Sequence, residues 1–546
     1  MAADSRGADA LARSLKNAGV TRLFALSGNH VMSVFDALLD TGIELIHTRH
    51  EASTVHMADA WARVTGEPGI ALVTGGPGHA NAVSALYTAY MAESPIVLLS
   101  GHAPNNQLGM GSFQEMAQAA MAAPVTKAAW ASAGAESLAG DIARALCIAR
   151  AGRPGPVNLN LPADALQAKA DMSRLPDAHE FGSAPVRLDA GAAKTAMDLL
   201  ARAARPLILA GPSLMTRRGR ERLSIFEEAC GIPVVGMESP RGIGDPSLGA
   251  FAQVLAEADC VLLLGKRLDF TLGFGKPPGL ASACEFLQID PEQAEIDRSR
   301  RALGSRLKFA AIADAFPALD ELAAERSGGK PKSAWMDEVR AAVRYRPPAW
   351  DAAVSNQPGR VHPVQFLRPL QAILDGHPES VFVSDGGEIG QWAQACLHAP
   401  HRVINGVAGS IGAALPFALA ARSARPDAPV VAIMGDGTFG FHMAEMDTAV
   451  THKLPFVAVV GNDARWNAEY QIQLKEYGPE RATGCEMRML RYDLITAAFG
   501  GHAELVTDAG MMLPAVRRAM ESGLPACINV MIEGLPAPQI ARPAAQ

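Results

Sequence analysis

The protein is a chain of 546 residues, of which 49% are apolar and 19% are charged. At roughly 150 residues per domain this length excludes a single small binding module, and the apolar content excludes an intrinsically disordered chain. The 49 lysines and arginines against 56 aspartates and glutamates give a net charge of −7, which argues against nucleic acid as a partner.

The cysteines and the lack of long apolar runs indicate the cellular compartment in which the protein is expected. The 7 cysteines are dispersed, and none stands in a C-x-x-C pair or at zinc-ligand spacing to histidines, which is typical of a reducing compartment. The N-terminal stretch lacks the apolar core of a signal peptide, and no apolar run reaches the roughly 18 residues that a membrane span needs. We therefore expect a cytoplasmic protein with no membrane partner.

Short apolar segments bounded by glycine or proline alternate with amphipathic stretches, the pattern of parallel sheets covered by helices on both faces. Helical spacing is found, for example, at residues 53–65 and 443–452. The predicted buried strands are residues 22–26, 70–74, 96–100, 157–161, 207–210, 261–264 and 286–289 in a first series, and 381–384, 430–434, 456–460 and 526–532 in a second. The fold class is therefore α/β.

Two changes in composition divide the chain. A polar, proline-containing segment covers about residues 167–190, and a Gly/Lys-rich stretch covers residues 325–332. We predict three doubly wound parallel-sheet domains at residues 1–180, 190–330 and 345–538. Because ligands of open α/β sheets bind at the carboxyl ends of the strands, the functional residues are expected in the turns there.

The most specific motif is a strand that ends in Gly-Asp-Gly at residues 435–437, followed by a helix, a second strand and Asn-Asp at residues 462–463. Adjacent parallel strands would bring Asp436 and Asp463 together. Their carboxylates, with the main-chain carbonyl of Arg465, make the oxygen-rich site that Mg²⁺ prefers, next to a diphosphate that the glycines allow to approach. A lone Gly-Asp-Gly is usually only a turn, so this prediction depends on the whole strand–helix–strand frame.

This arrangement resembles the signature of thiamine-diphosphate enzymes. Further segments match that family in order: residues 48–52 resemble the segment of its activating glutamate, 72–83 its TSGPGATN loop, 152–164 its GPV-x-L-x-LP-x-D strand, and 383–392 and 405–421 its diphosphate and pyrimidine loops. The sequence is identified as a member of this family, in the acetolactate synthase-like or benzaldehyde lyase-like group. The three domains are then the pyrimidine-binding, central and diphosphate-binding domains.

The resemblance implies thiamine diphosphate and Mg²⁺ as cofactors. It implies that Glu51 hydrogen-bonds the aminopyrimidine ring, that the Gly409 carbonyl accepts from its amino group, and that Ile411 wedges the cofactor into a bent form. Two departures stand out: Asp463 replaces the commoner asparagine, and Ile411 replaces the commoner methionine. The implied cofactor-binding residues are Glu51, Gly387, Glu388, Ile389, Gly409, Ile411, Gly435, Asp436, Gly437, Thr438 and Asp463, and the implied metal ligands are Asp436, Asp463 and Arg465.

The reaction is less well defined, because decarboxylation, ligation and cleavage next to a carbonyl share one cofactor chemistry. A histidine near the reacting carbon can transfer protons, although a histidine beside a turn is more often structural. The segment around His30 resembles benzaldehyde lyase. The candidate catalytic residues are Glu51, His30, Gln114 and His79, and the candidate substrate contacts are Asn29, Asn405, Trp466 and Ala468.

Three readings remain open. The leading one is a carboligase or lyase acting on a 2-oxo acid or 2-hydroxy ketone. The second is a 2-hydroxyacyl-CoA lyase or oxalyl-CoA decarboxylase-like enzyme, because residues 265–275 resemble those enzymes; the third is an inactive cofactor-binding relative. The short central segment does not favour FAD, and the Pro-rich tail after Glu533 is expected to have little capacity to form a lid.

The family also implies an assembly. The pyrimidine end of the cofactor is held by the first domain of one subunit and its diphosphate end by the third domain of another. We therefore expect a homodimer or homotetramer with active sites at the subunit interface, and a small-molecule carbonyl compound as the substrate.

Overall fold

The computed structural model describes residues 5–325 and 333–543. These residues form two compact units. The first unit contains the described residues up to Ala184 together with Leu419–Ala424 and Ala444–His452, and the second contains Pro185–Ala418, Arg425–Met443 and the described residues from Lys453 onward.

The strands pair in parallel throughout the three sheets of the described residues. The first unit contains β1 (Arg22–Ala25), β2 (Glu44–His47), β3 (Gly69–Val73), β4 (Ile96–His102), β5 (Ala128–Ala131) and β6 (Val157–Pro162). The second unit contains β7 (Pro206–Ala210), β8 (Val234–Gly236), β9 (Cys260–Leu264), β10 (Glu285–Asp290), β11 (Leu307–Ile312), β12 (Val381–Ser384), β13 (His401–Ile404), β14 (Val430–Gly435), β15 (Val457–Asn462), β16 (His502–Val506) and β17 (Ala526–Met531).

Helices connect and cover the strands. In the N-terminal half they are α1 (Gly7–Asn17), α2 (Met32–Leu38), α3 (Glu51–Thr65), α4 (Pro77–Met91), α5 (Gln118–Ala122), α6 (Ala135–Arg150), α7 (Ala163–Gln167), α8 (Ala190–Arg202), α9 (Arg217–Cys230) and α10 (Phe251–Leu255). In the C-terminal half they are α11 (Gln293–Leu303), α12 (Ala315–Ala324), α13 (Ser333–Arg344), α14 (Pro363–Leu367), α15 (Gln371–Asp375), α16 (Gly387–Cys396), α17 (Ala414–Ala424), α18 (Asp436–His442), α19 (Glu445–Thr451), α20 (Asn467–Tyr477), α21 (Tyr492–Ala498) and α22 (Met512–Glu521). Among the described residues, no helix is both long and apolar enough to span a bilayer.

Both faces of the middle sheet carry a hydrophobic core, as a doubly wound fold requires. Along β9, Leu262 and Leu264 pack into the cluster on one face, and Val261 and Leu263 pack into the cluster on the other. This alternation explains why the strand is an unbroken apolar run, since a side chain pointing to either face is buried. The predicted α/β class with three parallel sheets is confirmed.

The order of the strands reverses within both the first and the last sheet. The first sheet has the order β2-β1-β3-β4-β6-β5, and the last has the order β13-β12-β14-β15-β17-β16. In each, the chain runs to one side of a central strand and then returns to the other side, so the strand ends between β1 and β3, and between β12 and β14, open a crevice of the kind that binds ligands.

All eleven predicted strands are present, each within two residues of the predicted ends, and the predicted helices at residues 53–65 and 443–452 correspond to α3 and α19. The other strands, β2, β5, β8, β11, β13 and β16, were not predicted. The predicted domain boundaries at residues 180, 190, 330, 345 and 538 stay predictions.

Candidate active site

Two aspartates lie together at the carboxyl ends of neighbouring strands in the second unit. Gly435 at the end of β14 pairs with Gly461 of β15, so that Asp436 and Asp463 follow adjacent strands. Burial raises the pKa of Asp436 to about 6. Burial, and then the charge of Asp436, raise the pKa of Asp463 to about 7. Two carboxylates that repel each other in a partly dry site favour a bound cation.

The hydrogen bonding of the two aspartates fits a metal ion. Asp436 Oδ1 accepts from the Gly437 amide at 2.9 Å, whereas its buried Oδ2 has no hydrogen-bond partner among the residues that the structure describes. Asp463 Oδ1 accepts from the Arg465 amide at 3.1 Å. Within the described residues there is no cluster of three or more His, Cys, Asp or Glu side chains that could hold a metal, so main-chain oxygen would complete the ligand set. Asp436 and Asp463 thus suit a hard divalent cation, and the Arg465 carbonyl stays the predicted third ligand.

A cavity of about 380 Å³ opens beside this pair. Most of the predicted cofactor and substrate residues of the second unit line it. They are Gly387, Glu388, Ile389, Asn405, Gly409, Ile411, Gly437, Thr438, Asp463, Arg465, Trp466 and Ala468. Gly435 and Asp436 lie next to the lining residues in the same turn, where Thr438 Oγ1 donates to the Gly435 carbonyl at 3.0 Å. The structure therefore brings these predicted residues of the second unit together.

Close backbone packing shapes the cavity wall. A Cβ added at Gly437 would lie 2.6 Å from the Trp466 ring, so only glycine lets the ring cover this turn. Gly409 has a φ of +69°, a left-handed conformation that favours glycine. Glycine at these two positions therefore permits the backbone conformation and the ring packing that form this part of the cavity wall.

A buried aspartate that was not among the predicted residues holds the loop of Ile411 in place. Asp385 accepts hydrogen bonds from the amides of Gly386 at 2.7 Å, Gly412 at 3.0 Å and Ala414 at 3.1 Å. Burial raises its pKa, and these three amides oppose the rise. Asp385 thereby ties the end of β12 to the segment that carries Ile411. Its sequence signals are its position directly after a predicted strand and its place within residues 383–392, the segment that resembles the family's diphosphate loop.

Glu388 has an ionic partner that the sequence did not indicate. Its carboxylate is buried and lies 3.4 Å from Arg241 Nη2. Burial raises the pKa of Glu388, and the Arg241 charge opposes the rise. Arg241 comes from the central part of the chain, so a pattern within the diphosphate motif could not reveal this pair.

The candidate residues of the first unit surround the ends of β1 and β3. Glu51 is the first residue of α3, and its Oε2 accepts from Asn81 Nδ2 of α4 at 3.0 Å. His30 is 6% exposed, and its Nδ1 lies 3.1 Å from Thr74 Oγ1. Burial lowers the pKa of His30, so the ring is neutral near pH 7. Asn29, next to it, is exposed.

His79 and Gln114 occupy different settings. His79 is fully buried, its Nδ1 lies 2.9 Å from Ser100 Oγ, and burial lowers its pKa to about 4. These contacts place it in a polar network inside the unit, where a structural role is the simpler interpretation. Gln114 has a φ of +58° and packs against Gly76, where an added Cβ would lie 2.7 Å from Gln114 Cβ. The roles of both residues stay predictions.

Gln118 was not predicted, but its buried side chain makes three hydrogen bonds in this region. Its Oε1 accepts from the Gly76 amide at 2.8 Å, and its Nε2 donates to the Gly101 carbonyl at 3.0 Å and to Asn160 Oδ1 at 2.7 Å. It therefore fixes the glycine-rich loop between β3 and α4 against the ends of β4 and β6. A buried glutamine five residues from an exposed loop has no distinguishing sequence pattern.

Parallel sheets with a carboxylate pair at the strand ends, beside a glycine-walled cavity, define an enzyme that binds a diphosphate cofactor through a metal ion. The chain belongs to the thiamine pyrophosphate enzyme family. Three family models match it: the N-terminal TPP binding domain at residues 5–121, the central domain at residues 193–322 and the C-terminal TPP binding domain at residues 385–530.

Relatives of known name extend over nearly the whole chain. The acetolactate synthase large subunit IlvG of Mycobacterium tuberculosis is 34% identical over 544 residues, covering 98% of this chain and 96% of the relative. The 2-hydroxyacyl-CoA lyase 2 of Bos taurus is 30% identical over 580 residues, covering 97% and 90%. The protein is therefore a thiamine-diphosphate-dependent carboligase or lyase of the acetolactate synthase-like group.

Proposed function

We propose that the protein makes or breaks a carbon–carbon bond of a 2-oxo acid or 2-hydroxy ketone, in the manner of acetolactate synthase, with Mg²⁺ as its metal. The cavity bordered by Asp463, Trp466 and Ala468 is the observation that carries this proposal, because it joins a metal-type carboxylate site to a space for a small substrate. The 34% identity to a protein named acetolactate synthase supports it.

When bound, thiamine diphosphate supplies a nucleophilic carbon for addition to a carbonyl and a store for the released electron pair. The chain's own residues do the rest. Asp436, Asp463 and the Arg465 carbonyl would hold the cation, and Gly437 would allow the turn to pack under Trp466 beside the diphosphate. Glu51 would hold a proton against the aminopyrimidine, and neutral His30 is a candidate to exchange a proton with the substrate.

A second candidate function is that of a 2-hydroxyacyl-CoA lyase. It is favoured by the relative of that name in Bos taurus and by a larger cavity of about 660 Å³ that adjoins the first. The two candidates differ in the size and charge of the group carried beyond the reacting carbonyl, so the choice between them can be made by a substrate screen.

Binding and turnover test these proposals separately. Isothermal titration with thiamine diphosphate and Mg²⁺ is expected to show saturable binding to the native chain and to the control Glu67→Gln, an exposed glutamate after α3, and weaker binding to Glu51→Gln. The screen then follows carbon dioxide and aldehyde release from pyruvate, longer 2-oxo acids, acyloins and 2-hydroxyacyl-CoA thioesters. Turnover of the thioesters alone would select the second candidate, and an absence of cofactor binding would overturn both.

We also propose a cytoplasmic homodimer or homotetramer with active sites at the subunit interface, in which the first unit of one copy and the second unit of another contribute. The dispersed cysteines support a reducing compartment. Light scattering combined with an activity assay over a dilution series tests the assembly. We expect activity to fall as the oligomer dissociates, and a fully active monomer would contradict the proposal.

A further inference from the structure

A second cavity, larger than the first, adjoins the candidate active site. Its volume is about 660 Å³, compared with about 380 Å³ for the first. Arg241, Glu388, Gln391 and Ala468 line both cavities, so the two meet at these side chains. A molecule bound in the first cavity can therefore extend into the second.

One face of helix α20 connects the two cavities. Ala468, Gln471, Ile472 and Lys475 recur at intervals of three and four residues, which places them on one side of the helix, and all four line the second cavity. Ala468 also lines the first. At 1.5 Å per residue, Lys475 stands roughly 10 Å along the helix from Ala468. These four residues thus form a line along the helix from the candidate active site to Lys475.

The second cavity carries a positive charge, unopposed in the part of the chain that the structure describes, at the end where Lys475 lies. Arg241 is paired with Glu388 at 3.4 Å, so these two largely offset each other. Among the described residues, Lys475 has no carboxylate within ion-pair distance, and its side chain is exposed. Between the two ends the lining is mainly apolar or uncharged, with Ile243 and Ile472 among its members.

The chain after Glu533 forms a wall of this cavity. Residues 536–540, here called the strap, all line it. Trp392 Nε1 donates to the Pro536 carbonyl at 3.0 Å, and the Gln253 amide group exchanges two hydrogen bonds with the Arg542 main chain, at 3.1 and 3.0 Å. The strap is therefore attached at both ends, although the composition of this tail did not predict a covering role. One wall of the second cavity is therefore a segment of the chain that is held in place by hydrogen bonds.

We propose that the second cavity binds the distal part of an elongated carbonyl substrate, and that Lys475 recognises an anionic group at its far end. This rests on the proposed function, since the reacting carbonyl occupies the first cavity. The substrate class is then an extended 2-oxo acid or 2-hydroxy ketone with a second anionic group several bonds from the reacting carbon. Lys475 acts as a specificity-determining residue.

A matched pair of substrates isolates the distal charge. 2-Oxosuberate and 2-oxooctanoate have the same chain length and differ only in the terminal carboxylate. We expect native enzyme to favour the diacid about two- to fivefold in kcat/KM, the range for one exposed ion pair. The preference should disappear in Lys475→Gln, reverse in Lys475→Glu and persist in Lys194→Gln, a control on an exposed face of α8. An equal ratio in native enzyme and Lys475→Gln would overturn the proposal.

A binding measurement keeps the inference separate from the proposed function. Suberate and octanoate are unreactive, and their binding to the enzyme loaded with thiamine diphosphate and Mg²⁺ can be followed by tryptophan fluorescence. Tighter binding of suberate that depends on Lys475 supports the inference even if no 2-oxo acid turns over, whereas equal binding of the two acids overturns it. Coenzyme A serves as a competitor: displacement of suberate from native enzyme shows that the Lys475 end also accepts a phosphate, and a lack of displacement shows that it discriminates in favour of the carboxylate.

Discussion

The carboxylate pair at Asp436 and Asp463 makes the stability of the metal-free protein depend on pH. Both pKa values are raised in the folded state, so each group stabilises the fold when protonated and loses that contribution as the pH rises. This stabilisation is lost over the pH range from the ordinary pKa of 3.8 up to about 6 for Asp436 and about 7 for Asp463. Above pH 7 both aspartates are ionised in the folded protein, and their full destabilising effect on the fold is present.

Asp463→Asn removes one charge while keeping the shape of the side chain. Raising the pKa of Asp463 from 3.8 to about 7 corresponds to roughly 4 kcal/mol at about 1.4 kcal/mol per pH unit. Because Asp463 is partly exposed, we expect about half of this to be recovered, so that the variant is roughly 2 kcal/mol more stable than native protein above pH 7 without metal. A gain of this size raises the Tm by several degrees.

Differential scanning calorimetry in EDTA from pH 4 to pH 8 measures the effect. The two proteins should unfold at nearly the same temperature at pH 4 and diverge as the pH rises, and Mg²⁺ with thiamine diphosphate should reduce the difference at pH 8. Asp427→Asn, in an exposed turn, is the matched control and should follow the native protein. Parallel pH curves for native protein and Asp463→Asn would refute the reasoning.

Three further changes test other parts of the site. Glu51→Gln should lower kcat about 100-fold or more with little change in Tm, because it removes a proton-holding group but keeps the shape; retained activity would exclude the assigned role. Gly437→Ala forces the Trp466 ring to move, since the new Cβ would lie 2.6 Å from it, and should weaken thiamine diphosphate binding about tenfold in isothermal titration, whereas unchanged affinity would place the diphosphate elsewhere. Gln118→Leu leaves the Gly76 amide without its acceptor and should cost about 1–3 kcal/mol of unfolding free energy, measured in urea; an unchanged midpoint would show that water replaces the bond.

The strands that the sequence did not predict share one position. β2, β5, β8, β11, β13 and β16 are the six edge strands of the three sheets. A central strand such as β9 is buried along its whole length and reads as a continuous apolar run. An edge strand is covered less completely: β5 and β11 contain no fully buried residue, and polar side chains interrupt β11 and β16. Hydrophobicity therefore detects the interior of each sheet and misses its borders.

The site divides in a similar way. Asp436, Asp463 and the glycines were predictable because they stand at fixed positions in a strand-turn-helix frame, where the local backbone determines what they can do. Arg241 and the strap were not, because they contribute through contacts between segments far apart in the chain: Arg241 reaches Glu388, and Arg542 at the end of the strap reaches Gln253. Such contacts depend on how the elements pack, which no single segment specifies.

The middle sheet has the same chain reversal as the other two sheets but different contacts at its strand ends. β7 is flanked by β8 on one side and β9 on the other, so its strand ends should open a crevice like those of the other two sheets. At these strand ends a Cβ added at Gly211 would lie 2.1 Å from the Gly265 carbonyl, so the two turns are in close contact. The adjacent Lys266 is 2% exposed, and its Nζ donates to Thr271 Oγ1 at 2.8 Å and lies 3.3 Å from Asp269. Lys266 thus has hydrogen-bond and ionic partners in the loop that follows it, whereas, among the described residues, Asp436 Oδ2 at the last sheet has no hydrogen-bond partner and is available to a cation.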